Sequence, residues 1–161
     1  MIFLKSIVDK LCLKWVLISE LTGIVSGLLS MEGMRIYDAT VIKAPLTPPG
    51  WAFAVAWTII YALMGIGICM VIRKENNRGR ACCVNIFVAQ LIVNFFWSLI
   101  FFNAQAFGGA LVWLVLLWVL VLTMTICFSR ISTTAAWLQV PYLLWLSFAA
   151  YLNTAVWLLN A

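Results

Sequence analysis

Residues 81–129 contain no charged side chain, and this stretch constrains the fold more than any other part of the chain. As a single helix, these roughly 50 residues would extend about 70 Å, more than twice the hydrocarbon core of about 30 Å of a bilayer. The stretch must therefore cross a membrane twice. Residues 103–109 include polar side chains and a glycine pair, so we expect the turn between the two crossings there.

Three further apolar runs bring the number of predicted transmembrane helices to five. Their approximate spans are residues 13–33, 48–73, 81–103, 107–129 and 134–159, with a lid loop at residues 34–47. The chain is 66% hydrophobic and 9% charged, against about 25% charged in soluble domains. Backbone polar groups in lipid must be paired internally, and runs without period-2 alternation favour helices over a barrel. We predict an all-α integral membrane protein, a five-transmembrane-helix bundle in which residues 1–161 form one domain.

The basic residues predict how this bundle is oriented. Of the ten, all except Arg35 and Lys43 fall on one side: Lys5, Lys10, Lys14, Arg73, Lys74, Arg78, Arg80 and Arg130. By the positive-inside rule, we expect a cytoplasmic N-terminus and, after five crossings, an extracytoplasmic C-terminus. The net charge of +5 then lies beside the lipid bilayer, and we expect no nucleic-acid partner.

The five cysteines, Cys12, Cys69, Cys82, Cys83 and Cys127, form no C-x-x-C pattern. None of them lies in a predicted outer loop. We therefore expect reduced thiols that pack as small apolar side chains. The adjacent Cys82 and Cys83 are the best candidates for binding a soft metal, but the chain contains no histidine, and we expect no metal site.

Aromatic and polar residues at helical spacing mark three helix faces. They include Phe53, Trp57 and Tyr61 in the second span, Gln90, Asn94 and Trp97 in the third, and Tyr142, Trp145, Ala149 and Asn153 in the fifth. Residues three or four apart share a helix face, and an amide is costly against lipid, so these faces should point into the bundle. They could enclose a pocket, or the tryptophans could serve only core packing.

Glu20 is a carboxylate inside the first predicted span. Such a residue is a functional candidate, either as a proton carrier or as a ligand contact. The alternative is that it reaches the cytoplasmic interface or pairs with a basic residue there. The sequence leaves both interpretations open.

Three blocks of sequence suggest a family. Residues 48–53 (P-P-G-W-A-F), followed by Trp57, Tyr61, Met64 and Gly65, resemble the P-P-G-W-x-F…W…Y-x-x-M-G signature of the tryptophan-rich sensory protein family. These proteins are the bacterial relatives of the mitochondrial translocator protein, or peripheral benzodiazepine receptor. Residues 94–102 and 141–149 are similar to the family's N-x-x-W-x-x-x-F-F and P-Y-x-x-W-x-x-F-A stretches.

The resemblance implies a protein of the bacterial cell membrane, often a homodimer, whose pocket opens under the first loop. It implies porphyrins and isoquinoline or benzodiazepine-type small molecules as ligands. The implied ligand-binding residues are Trp57, Asn94 and Trp145, with Tyr61, Trp97 and Ala149 adjacent, and Tyr37, Phe53 and Gln90 complete our candidate set. Arg35 or Lys43 near the mouth could meet porphyrin carboxylates. The family's sterol motif fails here, because Thr154 replaces its tyrosine and no basic residue follows.

We interpret the chain as a membrane receptor or sensor that binds protoporphyrin-type tetrapyrroles and regulates tetrapyrrole handling. Two alternatives stay open: a carrier for porphyrins or other amphipathic molecules, and a light-dependent porphyrin-degrading enzyme. We find no acid–base pair or nucleophile arrangement typical of a conventional enzyme, so catalytic residues are unknown. Because no histidine is present to ligate haem iron, we expect metal-free porphyrin as a ligand and no resident cofactor, while ligation by cysteine, methionine or tyrosine stays open.

Overall fold

The computed structural model describes residues 10–74 and 78–161, which form helices joined by short connections. In chain order these are α1 (Lys10–Leu29), α2 (Met31–Thr40), α3 (Gly50–Lys74), α4 (Arg78–Ser98), a π-helical segment (Leu99–Asn103), α5 (Phe107–Ser129), α6 (Thr133–Trp137) and α7 (Val140–Leu159). The basic residue Lys5, used above to predict the orientation, lies outside the described residues.

Among the described residues, five stretches are long and apolar enough to cross a bilayer, which confirms the predicted all-α fold. They are Lys10–Leu29, Gly50–Lys74, Gly79–Asn103, Phe107–Ser129 and Thr133–Leu159. The last stretch combines α6 and α7. Pro141 lies at the start of α7, where its missing N–H needs no partner, and this accounts for the helix boundary just before it.

The segment after the first span differs from the expected span 13–33 and lid loop 34–47. The first helix ends at Leu29, and the ten-residue helix α2 begins at Met31. We call residues 31–49 the lid. Gly33 allows α2 to approach the π-helical segment, because a Cβ at this position would lie 2.6 Å from the carbonyl carbon of Phe102. Contacts with a distant part of the chain therefore stabilise a helix that the local sequence does not indicate.

The turn between the third and fourth spans also differs in detail from expectation. It occupies residues 104–106, and Gln105 adopts a φ of 49°. Gly108 and Gly109, which we expected to form the turn, belong to α5. Gly108 instead permits close packing, because a Cβ there would lie 3.0 Å from Cε2 of Trp157.

At the end opposite the lid, α1 and α3 are joined covalently. A disulfide links Cys12 and Cys69, with their Cα atoms 5.1 Å apart, so the expectation that all five cysteines are reduced was wrong for this pair. The two helices also approach closely at Gly65, where a Cβ would lie 2.4 Å from Cα of Val16. Sequence spacing could not reveal the pairing, because it depends on where the two helices cross.

Candidate functional site

A cavity of about 760 Å³ lies beneath the lid, among α1, α3, α4 and α7. This size falls within the range of about 300–1,000 Å³ that is usual for small-molecule sites. Aromatic side chains form much of the wall: Tyr37, Phe53, Trp57, Tyr61, Trp97, Phe101 and Phe102. The cavity reaches the bundle surface between α1 and α3, where the lining residues Ile24, Ala54 and Thr58 are exposed. This opening faces the side of the bundle, which in a membrane is occupied by lipid.

A hydrogen-bonded network, which we call the floor network, lies below the cavity and reaches its wall at Tyr61 and Asn94. The Tyr61 hydroxyl donates to Oδ1 of Asn94 over 2.7 Å, and Nδ2 of Asn94 donates to the Tyr142 hydroxyl. The Tyr142 hydroxyl donates to Oε1 of Gln90 over 3.1 Å, and Nε2 of Gln90 lies 3.5 Å from Sδ of Met64. These groups are buried, and unpaired amides would be costly there. The network therefore holds Tyr61 and Asn94 in fixed positions at the cavity surface.

Aromatic contacts orient the wall residue Trp57. Its ring centroid lies 5.4 Å from that of Tyr61 and 6.0 Å from that of Tyr142. Trp145 contacts Trp57 edge to face at 6.4 Å and Phe53 at 5.3 Å. Such edge-to-face pairs are favourable because the ring edge is positive and the ring face negative. Trp145 thus supports Phe53 and Trp57, two of the α3 residues that line the cavity.

The lid is attached to the bundle by polar and aromatic contacts. The side-chain amide of Asn160 pairs with the backbone of Ile42 through two hydrogen bonds, of 2.9 Å to its N–H and 3.0 Å to its carbonyl. Tyr37 packs between the rings of Phe101 and Phe102, with centroids 5.5 and 5.4 Å away. Burial, and then the charge of neighbouring Asp38, raises the pKa of the Tyr37 phenol above its ordinary value.

Two residues of the cavity wall have a buried polar atom without a hydrogen-bond partner. These atoms are Nε1 of Trp97, a donor, and Oδ1 of Asn153, an acceptor, whose own Nδ2 donates to the carbonyl of Phe107. Unpaired buried groups are uncommon in folded proteins and call for an explanation. Both atoms are enclosed by protein rather than open to the cavity.

Most of the candidate residues from the sequence meet at this cavity. Tyr37, Phe53, Trp57, Tyr61, Asn94, Trp97 and Ala149 all line it. Gln90 does not, because it lies one helical turn beyond Asn94 and its amide is used by the floor network. Trp145 does not either, because it lies behind Trp57 and borders a shallow outer groove between α3 and α7 instead.

Helix α1 contributes more of the cavity wall than the sequence indicated. Glu20, Gly23, Ser26 and Gly27 line the cavity. The small residues of α1 allow a close helix contact at Gly23, where a Cβ would clash with the ring of Tyr61. At Gly27, however, a Cβ would meet no atom within 4 Å from another helix of the described residues, so that glycine opens the cavity rather than closing a helix contact.

The expected basic partners for porphyrin carboxylates are engaged elsewhere. Arg35 is not part of the cavity wall, and its guanidinium lies 3.3 Å from the Glu32 carboxylate on the outer face of α2. Lys43 does line the cavity, but its Nζ lies 2.8 Å from the Asp38 carboxylate. The net charge at the mouth of the cavity is therefore less positive than we expected.

The helices and the cavity together define an integral membrane protein with a small-molecule site inside its helical bundle. Comparison with known proteins gives the family: the model of the TspO/MBR family matches residues 15–158. The chain belongs to this family, whose members include membrane proteins named as sensors and translocators.

Relatives from distant organisms are similar over most of their length. The chain is 39% identical to the tryptophan-rich protein TspO of Chlorobaculum tepidum over 129 residues, covering 77% of this chain and 79% of that protein. Identity to the TspO protein of Archaeoglobus fulgidus is 37% over 142 residues, covering 86% and 90%. The human translocator protein is 35% identical over 128 residues, covering 78% and 75%.

Proposed function

We propose that this protein is a membrane receptor that binds protoporphyrin-type tetrapyrroles in the cavity beneath the lid. The observation that carries this proposal is the cavity of about 760 Å³ with aromatic residues on several walls. A porphyrin is a wide, flat π-system, and Trp57 of α3 and Trp97 of α4 offer ring surfaces on which it can pack. Smaller isoquinoline or benzodiazepine-type molecules would use the same surfaces.

The side opening between α1 and α3 also favours a ligand of this kind, because it would admit an apolar molecule directly from the bilayer. We expect metal-free porphyrin, since the chain has no histidine to ligate iron.

The test is titration of the purified protein with protoporphyrin IX in the dark, followed by porphyrin absorbance. Trp57→Phe should weaken binding about fivefold, equivalent to about 1 kcal/mol, because it removes indole surface from the cavity wall. Trp137→Phe is the matched control, since Trp137 is 68% exposed and lies outside the cavity. Equal effects of the two substitutions, or no binding by the unmodified protein, would refute the proposal.

The same preparation separates the receptor from the two alternatives. A new porphyrin product that appears only under illumination would favour a degrading enzyme. Net movement of porphyrin across vesicles containing the protein would favour a carrier. A receptor should give saturable binding with neither outcome.

We further propose that the end of the bundle opposite the lid faces the cytoplasm. Lys10 and Lys14 of α1, Arg73 and Lys74 of α3, and Arg130 after α5 all lie toward that end. This distribution matches the positive-inside rule. A reporter fused after Ala161 should then be active only outside the cytoplasm, and cytoplasmic activity would reverse the assignment.

A further inference from the structure

Glu20 is an acidic residue halfway along α1, inside a transmembrane span, and it lines the cavity. It is partly buried rather than turned out to lipid. The two ion pairs seen among residues 10–74 and 78–161 join Arg35 to Glu32 and Lys43 to Asp38, and neither involves Glu20. The sequence left open that Glu20 pairs with a basic residue. The described part of the chain shows no such ion pair.

Hydroxyl groups of α1, and of the part of α3 that lines the cavity, donate to acceptors other than Glu20. The Tyr61 hydroxyl, in the cavity wall, donates to Asn94. Thr58 donates to the carbonyl of Ala54 over 2.9 Å. On α1 itself, the hydroxyls of Ser19, Thr22 and Ser26 donate to the backbone carbonyls of Trp15, Ile18 and Phe95. Glu20 is therefore an acceptor in the cavity wall that receives no hydrogen bond from these hydroxyl groups.

The other charged residues of the cavity wall do not compensate the charge of Glu20. Its charged lining residues, among those the structure describes, are Glu20, Asp38 and Lys43, and the last two neutralise each other. With Glu20 ionised, the cavity carries one uncompensated negative charge. A carboxylate without a partner in a largely apolar wall is costly, and a cation or a strong N–H donor beside it would offset that cost.

We infer that Glu20 is a ligand-binding residue, and that it gives this cavity affinity for flat aromatic molecules that carry an ammonium or similar cationic N–H group. The cationic group lies against the Glu20 carboxylate, and the aromatic body packs on Trp57 and neighbouring rings, which also attract cations through their faces. This inference rests on the proposed function only in that both place a ligand in the same cavity. It adds a second chemical class of ligand to the tetrapyrroles.

The experiment compares two probes of nearly identical shape, 1-pyrenemethylammonium and the uncharged 1-pyrenemethanol, with the full-length protein in lipid nanodiscs. Energy transfer from tryptophan to pyrene reports binding. The unmodified protein should bind the ammonium probe about tenfold more tightly than the alcohol, as expected for a charge-assisted hydrogen bond. In Glu20→Gln this preference should fall below about twofold, and in Glu20→Asp, which keeps the charge, most of it should remain.

Glu32→Gln is the matched control, because Glu32 is an exposed acid outside the cavity wall, and it should keep the full preference. Protoporphyrin IX, a dicarboxylate, should bind Glu20→Gln at least as tightly as the unmodified protein, which also shows that the variant is folded. The inference is overturned if the unmodified protein prefers the alcohol or shows no preference, or if Glu20→Gln retains the tenfold ratio. Failure of the unmodified protein to bind protoporphyrin IX, with the preference for the ammonium probe retained, would refute the proposed function alone. Failure to bind any of the three molecules would refute both.

Discussion

The floor network makes a sharp prediction about Tyr142, which is 1% exposed and lies at the centre of the bundle. Tyr142→Phe removes only the hydroxyl and preserves the ring that contacts Trp57. This hydroxyl accepts from Asn94 and donates to Gln90, so the substitution leaves one buried donor and one buried acceptor without partners. Tyr61→Phe, by comparison, removes a single hydrogen bond to Asn94.

The expected magnitude follows from this count of broken bonds. A hydrogen bond between transmembrane helices contributes on average about 0.6 kcal/mol, and leaving a buried polar group unpaired costs about 1–3 kcal/mol. Tyr142→Phe should therefore lower the free energy of unfolding by about 1–4 kcal/mol, and Tyr61→Phe by about half as much. Tyr151→Phe is the control, since Tyr151 is 44% exposed and its hydroxyl makes a bond of 3.4 Å to the Pro45 carbonyl.

The assay is reversible unfolding of the purified protein by sodium dodecyl sulfate in mixed micelles, followed by tryptophan fluorescence. The order of destabilisation should be Tyr142→Phe, then Tyr61→Phe, then Tyr151→Phe. Porphyrin affinity should also fall in Tyr142→Phe, because Asn94 loses its fixed orientation at the cavity surface. The reasoning fails if Tyr142→Phe is no more destabilising than the exposed control, since the network would then contribute nothing to the fold.

Three other perturbations test separate parts of the structure. Gly65→Ala should lower the free energy of unfolding by about 1–3 kcal/mol in the same assay, because the new methyl group overlaps the backbone of α1. Gly27→Ala is the control and should not destabilise the protein, because its methyl group meets open space. Asn160→Ala removes both hydrogen bonds between the Asn160 side chain and the lid backbone. Limited trypsin digestion of the lid and dissociation of porphyrin should therefore become faster. Unchanged rates would contradict the inference that Asn160 holds the lid to the bundle. Serine at either Cys12 or Cys69 should abolish the difference in electrophoretic mobility between reduced and non-reduced protein, while serine at any of the three free cysteines should preserve it.

Prediction from the sequence was most successful where a feature depends on local composition. Each membrane crossing needs about 20 apolar residues, so the number of spans follows from the lengths of the apolar runs alone. The inward orientation of Trp57, Tyr61 and Asn94 is likewise local, because helical periodicity and the cost of a polar group in lipid assign the face. The family resemblance rested on the same residues, and it was confirmed over residues 15–158.

The errors arose where a feature depends on contacts between distant segments. Whether Cys12 meets Cys69 depends on where α1 crosses α3. Whether an inward-facing aromatic residue lines the cavity depends on whether another ring covers it. Trp57 lies between Trp145 and the cavity. Periodicity reports only the face of each helix, so it could not separate these two tryptophans.

The sequence by itself determined that this chain is a membrane-spanning bundle of five helices, because burial in lipid imposes length and polarity rules on each segment independently. Only the tertiary structure decided the helical lid, which depends on Tyr37 and Gly33 packing against the π-helical segment. The tertiary structure also decided that Glu20 lines the cavity without a basic partner in the described chain, since its neighbours come from other helices. These arrangements arise from helix-to-helix packing, which no single segment encodes.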